Sequence, residues 1–144
     1  MDPCLFCSVV AGDQHASVVV RRESAMAFLD HRPLFKGHTL VVPTSHVQTL
    51  DSIPPQTIEP FFTLVRDLSS AVLEALGAQG SFVAMNNTVS QSVPHLHAHV
   101  VPRTKGDGLR GFFWPRVRYE EGEMAGYAAR LHAALVADGG AGHD

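Results

Sequence analysis

Apolar residues recur along the chain with two different periods, and the changes of period divide it into elements. Leu5 to Ala11 is a short, mostly apolar run stopped by Gly12, which reads as a short helix. Val18 to Arg21 and Ala25 to Leu29 are brief β-prone runs on either side of Glu23 and Ser24, the pattern of a strand hairpin. Leu40 to Val42, after Gly37, reads as a buried strand. Asp51 and Ser52 are candidate caps for a helix starting near Pro54 and Pro55, because proline is tolerated in a first helical turn. In that helix Ile58, Phe61, Phe62, Val65, Leu68, Val72 and Leu76 recur at helical spacing, predicting one buried stripe that ends at Gly77. Ser81 to Met85 and His97 to Val101 read as two further strands, and Glu123 to Val136 as a last, alanine-rich helix. A short helix, three strands, a long helix, two strands and a final helix predict an α+β domain with an antiparallel sheet of about five strands.

Length and composition narrow the function. With 144 residues and no internal repeat or linker, the chain is expected to form a single domain over residues 1–137, with a disordered tail from Asp138 to Asp144. Hydrophobic residues make up 45% and charged residues 17%, the balance of an ordinary globular protein. A formal net charge of −3 argues against a basic groove for long nucleic acid but not against a small phosphate ligand, which needs only a local site. Met1 to Leu5 lack the basic and apolar regions of a signal peptide, and no run approaches the roughly 18 apolar residues of a membrane span. The expectation is a cytoplasmic protein with no membrane partner.

The histidines add the chemistry. Nine are present, and His95, His97 and His99 alternate with Leu96 and Ala98 in the segment QSVPHLHAHVVPR, Gln91 to Arg103. Strand period puts His97 and His99 on one face and the apolar residues on the other, with His95 at the strand entrance after Pro94. A lone histidine of this kind is ordinarily a satisfied surface residue. Three in register, with His38 and His46 following apolar segments, argue for chemistry. One reading is nucleophilic catalysis, since neutral imidazole attacks phosphorus at pH 7 and its phosphorus–nitrogen bond is labile to water. Neighbouring histidines would then stabilise phosphoryl charge and protonate the leaving group. Another reading is a metal site on His97 and His99. Cys4 and Cys7, the two cysteines of the chain, form a C-x-x-C pair. In a chain without an export signal that spacing suggests metal or redox chemistry, and nothing around it resembles a thioredoxin-type strand and helix.

Two blocks then carry a family resemblance. AFLDHRPLFKGHTLVVPTSH (Ala27 to His46) and NNTVSQSVPHLHAHVVPR (Asn86 to Arg103) resemble the signature blocks of the histidine triad family, and the likeness runs from about Cys4 to Arg103. The resemblance implies that His97 is the nucleophile, attacking the α-phosphorus of a nucleoside phosphate ester, anhydride or phosphoramidate. The His95 carbonyl would fix its tautomer, and His99 and His38 would flank the phosphate. Gln91 and Ser92 would lie on the phosphate or leaving-group side, with Asn86 or Asn87 near the phosphates. Asp30 would accept from the ribose hydroxyls. Phe6, Phe28 and Leu40 would line the base pocket, although ordinary core placement suits Phe6 and Leu40 as well. Arg103 is a further phosphate candidate, whereas Lys36 reads as a solvated residue. The implied ligand is a purine nucleotide. The implied products are a nucleoside monophosphate and its leaving group, from dinucleoside polyphosphates, adenosine phosphoramidates or adenylates, with magnesium a candidate partner of the polyphosphates.

The zinc-bearing branch of the family implies Cys4, Cys7, His46 and His95 as a structural Cys2His2 zinc site, ahead of a pair of buried reduced thiols. A homodimer through the long helix and an edge strand is also implied. Three other functions compete: a nucleotide sensor without turnover, a nucleotidyl transferase or phosphorylase, and a zinc hydrolase with its metal on His97 and His99. Two departures stand out. Ser90 occupies a position where many family members carry glycine, in a short loop from Asn87 to Gln91. The segment from Lys105 to Tyr119 sets Phe112, Phe113 and Trp114 among arginines, a candidate surface for a partner subunit. His15, His31, His132 and His143 read as surface residues.

Overall fold

The computed structural model describes residues 4–110 and 115–139. The chain forms two compact units, Met1–Asp107 and Gly108–Asp144. The first unit contains α1 (Leu5–Ala11), β1 (Val18–Arg21), β2 (Ala25–Leu29), β3 (Thr39–Pro43), a 3-10 turn (Leu50–Ser52), α2 (Pro55–Leu76), β4 (Gly80–Ala84) and β5 (Ala98–Arg103). The second contains α3 (Glu123–Gly139). The strands form one open sheet in the order β1-β2-β3-β5-β4, with every neighbouring pair antiparallel. This is the α+β architecture that the two periods predict.

The central strands are buried on both faces, and strand period assigns each residue to a side. Ala25, Ala27, Val41, Ala98 and Val100 pack with Phe61, Leu64, Leu68 and Val72 of α2. Met26, Phe28, Leu40 and Val42 turn the other way and pack with Phe6 and Val9 of α1. The sheet is therefore sandwiched between a long helix and a short one. α1 leaves part of its face uncovered, and the histidines emerge there.

The helix differs from its sequence reading in two respects. Ile58, Phe62 and Leu76 are exposed, while Leu64 and Thr57 are buried. The sheet-facing stripe follows Phe61, Leu64, Val65, Leu68 and Val72, and Phe62 lies about 100° around the helix from Phe61. Asp51 and Ser52 belong to the 3-10 turn, and the N-cap is Pro54, which makes no side-chain cap bond. α3 continues to Gly139, past the expected end at Val136 and into the expected tail. Residues 140–144, with His143, lie outside the described residues, as do Phe112, Phe113 and Trp114.

Gly37 fixes the approach to the site. Its φ is +97°, and a Cβ there would overlap Leu76 Cδ1 at the end of α2. The positive φ favours glycine, and the missing Cβ leaves the Leu76 side chain room where the loop of residues 30–38 passes the end of α2.

Candidate active site

β5 lies between β3 and β4, with His99 opposite Leu40 on one side and Ala84 on the other. Leu96, Ala98 and Val100 point into the α2 core, as the alternation requires. His97 and His99 therefore emerge on the α1 face. The Phe6 ring meets His97 edge-to-face, with centroids 5.0 Å apart and planes at 88°, and it meets Phe28 at 5.3 Å.

Hydrogen bonds to groups of known polarity fix the proton positions of four histidines. A carbonyl can only accept, so His97 Nδ1, 2.8 Å from the His95 carbonyl oxygen, carries a proton. The lone pair of neutral His97 is then on Nε2. His95 Nε2 donates to the Pro43 carbonyl at 2.9 Å, leaving its lone pair on Nδ1. The Leu34 N–H donates to His38 Nδ1 at 3.0 Å, so the His38 proton is on Nε2. That nitrogen lies 2.9 Å from His99 Nδ1 and donates to it, which leaves the His99 proton on Nε2. Burial favours the neutral forms of His99, His38 and His95. It holds His99 down to about 4, aided by the neighbouring His97 and His38 and opposed by Asp30. It also lowers His38 against the pull of Asp30. His95 is lowered by burial, opposed by its bond to Pro43 and reinforced by His46 and His97.

Asp30, His38 and His99 place one ligand-type atom each within 4.8 Å of one another. The proton on His38 Nε2 fills that space with a hydrogen bond, so the group is a relay rather than a ligand set. Asp30 Oδ2 lies 3.6 Å from His38 Nε2, and its Oδ1 accepts from the Arg32 N–H at 2.9 Å.

These residues border a cleft of about 720 Å³, within the range of nucleotide-sized sites. Of the residues singled out in the sequence, Phe6, Phe28, Asp30, Leu40, Ser92, His97 and His99 line it. His38 stands behind His99. Asn86, Asn87 and Gln91 do not line it. Gln91 braces the loop, accepting from the Thr88 N–H at 2.9 Å and donating to the Gln48 carbonyl at 2.7 Å. Asn87 accepts from the Leu50 N–H at 2.7 Å. Arg103 is paired with Asp107 at 2.7 Å, and Lys36 is exposed. The lining also includes Gln14 and Ser17, together with His15 and His31, which read as surface residues and are exposed at its rim. Gln14, His15 and Ser17 reach it from the loop between α1 and β1, and His31 from the loop between β2 and β3, tertiary placements without a local sequence signal.

A second cluster lies on the other side of His95. Cys4 Sγ and Cys7 Sγ are 3.4 and 3.5 Å from His95 Nδ1, and Cys7 Sγ is 3.3 Å from His46 Nδ1. With Zn–S near 2.3 Å and Zn–N near 2.0–2.1 Å, a tetrahedral ion sets nitrogen and sulfur about 3.6 Å apart. The Pro43 bond also leaves the correct His95 nitrogen unprotonated, so the four residues fit a zinc ion. Cys4 caps α1 and accepts from the Cys7 N–H at 3.4 Å. Burial raises the Cys7 thiol, helped by its hydrogen bond to Cys4 and the Cys4 charge.

The HIT domain profile matches residues 11–106, two-thirds of the chain. The chain belongs to the histidine triad family. An uncharacterized HIT-like protein of Methanocaldococcus jannaschii is 40% identical over 73% of this chain and 82% of its own. Two Schizosaccharomyces pombe relatives carry named activities. An adenosine 5'-monophosphoramidase is 31% identical over 78% of this chain and 83% of its own. An asymmetrical bis(5'-nucleosyl)-tetraphosphatase is 32% identical over 76% and 62%. Among solved structures, a HIT family protein of Bacillus subtilis superposes with a TM-score of 0.83 at 27% identity, covering 92% of this chain and 96% of the other. A zinc-bound histidine triad protein of Mycobacterium smegmatis superposes with 0.70 at 35% identity, covering 91% and 96%. The HIT match begins after Cys4 and Cys7, so the metal reading leans on the zinc-bound relative and on the geometry. Among the described residues no helix is long and apolar enough to cross a membrane.

Proposed function

We propose that this histidine triad protein hydrolyses small nucleotides at the α-phosphorus through a covalent nucleotidyl-His97 intermediate, releasing a nucleoside monophosphate. The observation that carries this reading is the His97 Nδ1–H bond to the His95 carbonyl, which leaves the lone pair on Nε2 of a ring that lines the cleft. Relatives named as a phosphoramidase and a tetraphosphatase support the same class of substrate. The base would lie against Phe6, Phe28 and Leu40, and Asp30 would take the ribose hydroxyls.

In the first step Nε2 forms a bond to phosphorus while the bond to the leaving group breaks, and the electron pair departs with that group. A polyphosphate leaves as its anion, and an amine leaves with a proton drawn from solvent. The Nε2–H of His99 stabilises charge on the phosphoryl oxygens. In the second step water attacks phosphorus and gives up a proton to solvent, the phosphorus–nitrogen bond breaks, and its electron pair returns to Nε2. A bound zinc would be structural: with four protein ligands it leaves no open position, and it would tie α1 to the strand entrance. The reading with metal on His97 and His99 is disfavoured, because His99 offers the cleft a proton rather than a lone pair. A chain of this kind would work as a cytoplasmic homodimer.

Intact-protein mass during turnover of diadenosine tetraphosphate, quenched without acid, tests the mechanism. The wild type should gain one adenylyl group and His97→Asn none. Equal turnover by both proteins with no adduct would remove His97 as nucleophile. Binding without turnover in either would leave a nucleotide sensor.

A further inference from the structure

We propose that the backbone amide of Leu34 is the positioning group for this chemistry: through His38 it fixes the tautomer of His99, so that His99 always presents Nε2–H to the cleft. The inference rests on the hydrolase reading for its consequence, and on geometry for its substance.

The relay has a fixed direction. The Leu34 N–H can only donate, and it lies 3.0 Å from His38 Nδ1. The opposite arrangement would require a proton on that nitrogen, and two N–H groups would then face each other. His38 Nε2 therefore holds the proton and gives its hydrogen bond to His99 Nδ1 at 2.9 Å. His38 is 3% exposed, and its own backbone is held at both ends, its N–H to the Phe35 carbonyl and its carbonyl to the Asp30 N–H. Asp30 adds its bond to the Arg32 N–H, so the loop that presents Leu34 is closed on itself. The Leu34 side chain is 58% exposed, which leaves the backbone as the part that acts.

The chemical consequence concerns charge. A neutral imidazole with its lone pair toward a phosphoryl oxygen repels it, and one with N–H toward it attracts it. His97 needs the lone pair outward and His99 needs the proton outward, although the two rings stand side by side at the start of β5 with centroids 5.1 Å apart. Two backbone groups of opposite polarity impose the opposite tautomers: the His95 carbonyl on His97, and the Leu34 amide, through His38, on His99.

Long-range proton–nitrogen NMR of the uniformly 15N-labelled, zinc-loaded protein tests the assignment directly. His38 and His99 should appear as Nε2–H tautomers and His97 as Nδ1–H. Leu34→Ala keeps the amide and should keep both the tautomers and the turnover. Leu34→Pro removes the amide hydrogen. It should give His99 a mixed tautomer and lower kcat by roughly tenfold or more with little change in KM, in keeping with weakening one transition-state donor. An Nδ1–H tautomer of His99 in the wild type would overturn the proposal, and so would unchanged tautomers in a folded Leu34→Pro. Should that variant not fold, the wild-type spectrum decides alone. The proposed tautomers in a protein that cleaves no nucleotide would sink the hydrolase reading and leave the relay standing.

Discussion

The Sγ of Cys7 lies 3.3 Å from Nδ1 of His46, across 39 residues of chain. With Cys4 and His95 this pair joins α1 to the entrance of the strand that carries His97. The purified protein should therefore hold one zinc ion per chain by elemental analysis, and Cys7→Ser should abolish it. At free zinc of about 1,000 Kd the ion would add about 4 kcal/mol to stability, so chelation should lower the Tm clearly. Activity should be lost together with α1 packing and not before it. Full activity and unchanged Tm in a metal-free protein would exclude a structural zinc.

Stability should fall in mild acid. Burial lowers His99 to about 4 and lowers His38 from the ordinary 6.5, so the unfolded chain binds protons before the folded one does. Stability from these two groups is fully present above pH 6.5 and is lost as pH falls toward the folded values. Each withdraws at most about 1.4 kcal/mol per pH unit. Urea unfolding at pH 7.5 and pH 5 checks this, and His99→Gln should flatten the slope. An equal slope in the variant would mean that other groups carry the effect.

Much of the fold was legible because strand and helix periods differ so plainly here. The run Ala25 to Leu29 stands one residue per face, and its pairing with Val41 and Leu40 follows that alternation. The histidine strand was legible for the same reason. Its partners on the α1–β1 loop, Gln14 and His15, were not: a loop folding over a cleft leaves no periodic trace. Gln91 reads from the sequence as a phosphate neighbour, yet both ends of its amide are occupied by backbone. Residue type and spacing report what a side chain can bond, and only the fold selects which bond forms.

Ser90 adopts φ +62°, the left-handed region, where the resemblance had placed a glycine in other members. A side chain there costs about 1–2 kcal/mol, and glycine returns about 0.5–1 kcal/mol of that in unfolded-chain entropy. Ser90→Gly should thus stabilise the protein by up to about 1 kcal/mol in chemical denaturation. Gly37→Ala should do the reverse, losing roughly 1–3 kcal/mol, because it meets both an unfavourable φ of +97° and the Leu76 side chain. Equal stability of Gly37→Ala and wild type would show that the end of α2 yields freely.

The exposed residues of α2 point to a second copy of the chain. Ile58, Phe62, Leu73 and Leu76 are 43%, 38%, 42% and 55% exposed, on a helix whose other side is fully committed to the sheet. β4 is an edge of the same sheet, with Val83 41% exposed. An apolar helix stripe beside an open strand edge is a surface that two-fold pairing covers, since each copy offers the other the same patch. Sedimentation velocity should give the mass of a dimer for the wild type. Phe62→Glu combined with Leu73→Glu should shift it to the monomer, because two like-charged carboxylates per copy would be buried unpaired. The double variant should keep its far-UV circular dichroism, as neither side chain belongs to the buried core. A wild-type monomer, or a dimer undisturbed by the double variant, would move the interface away from α2.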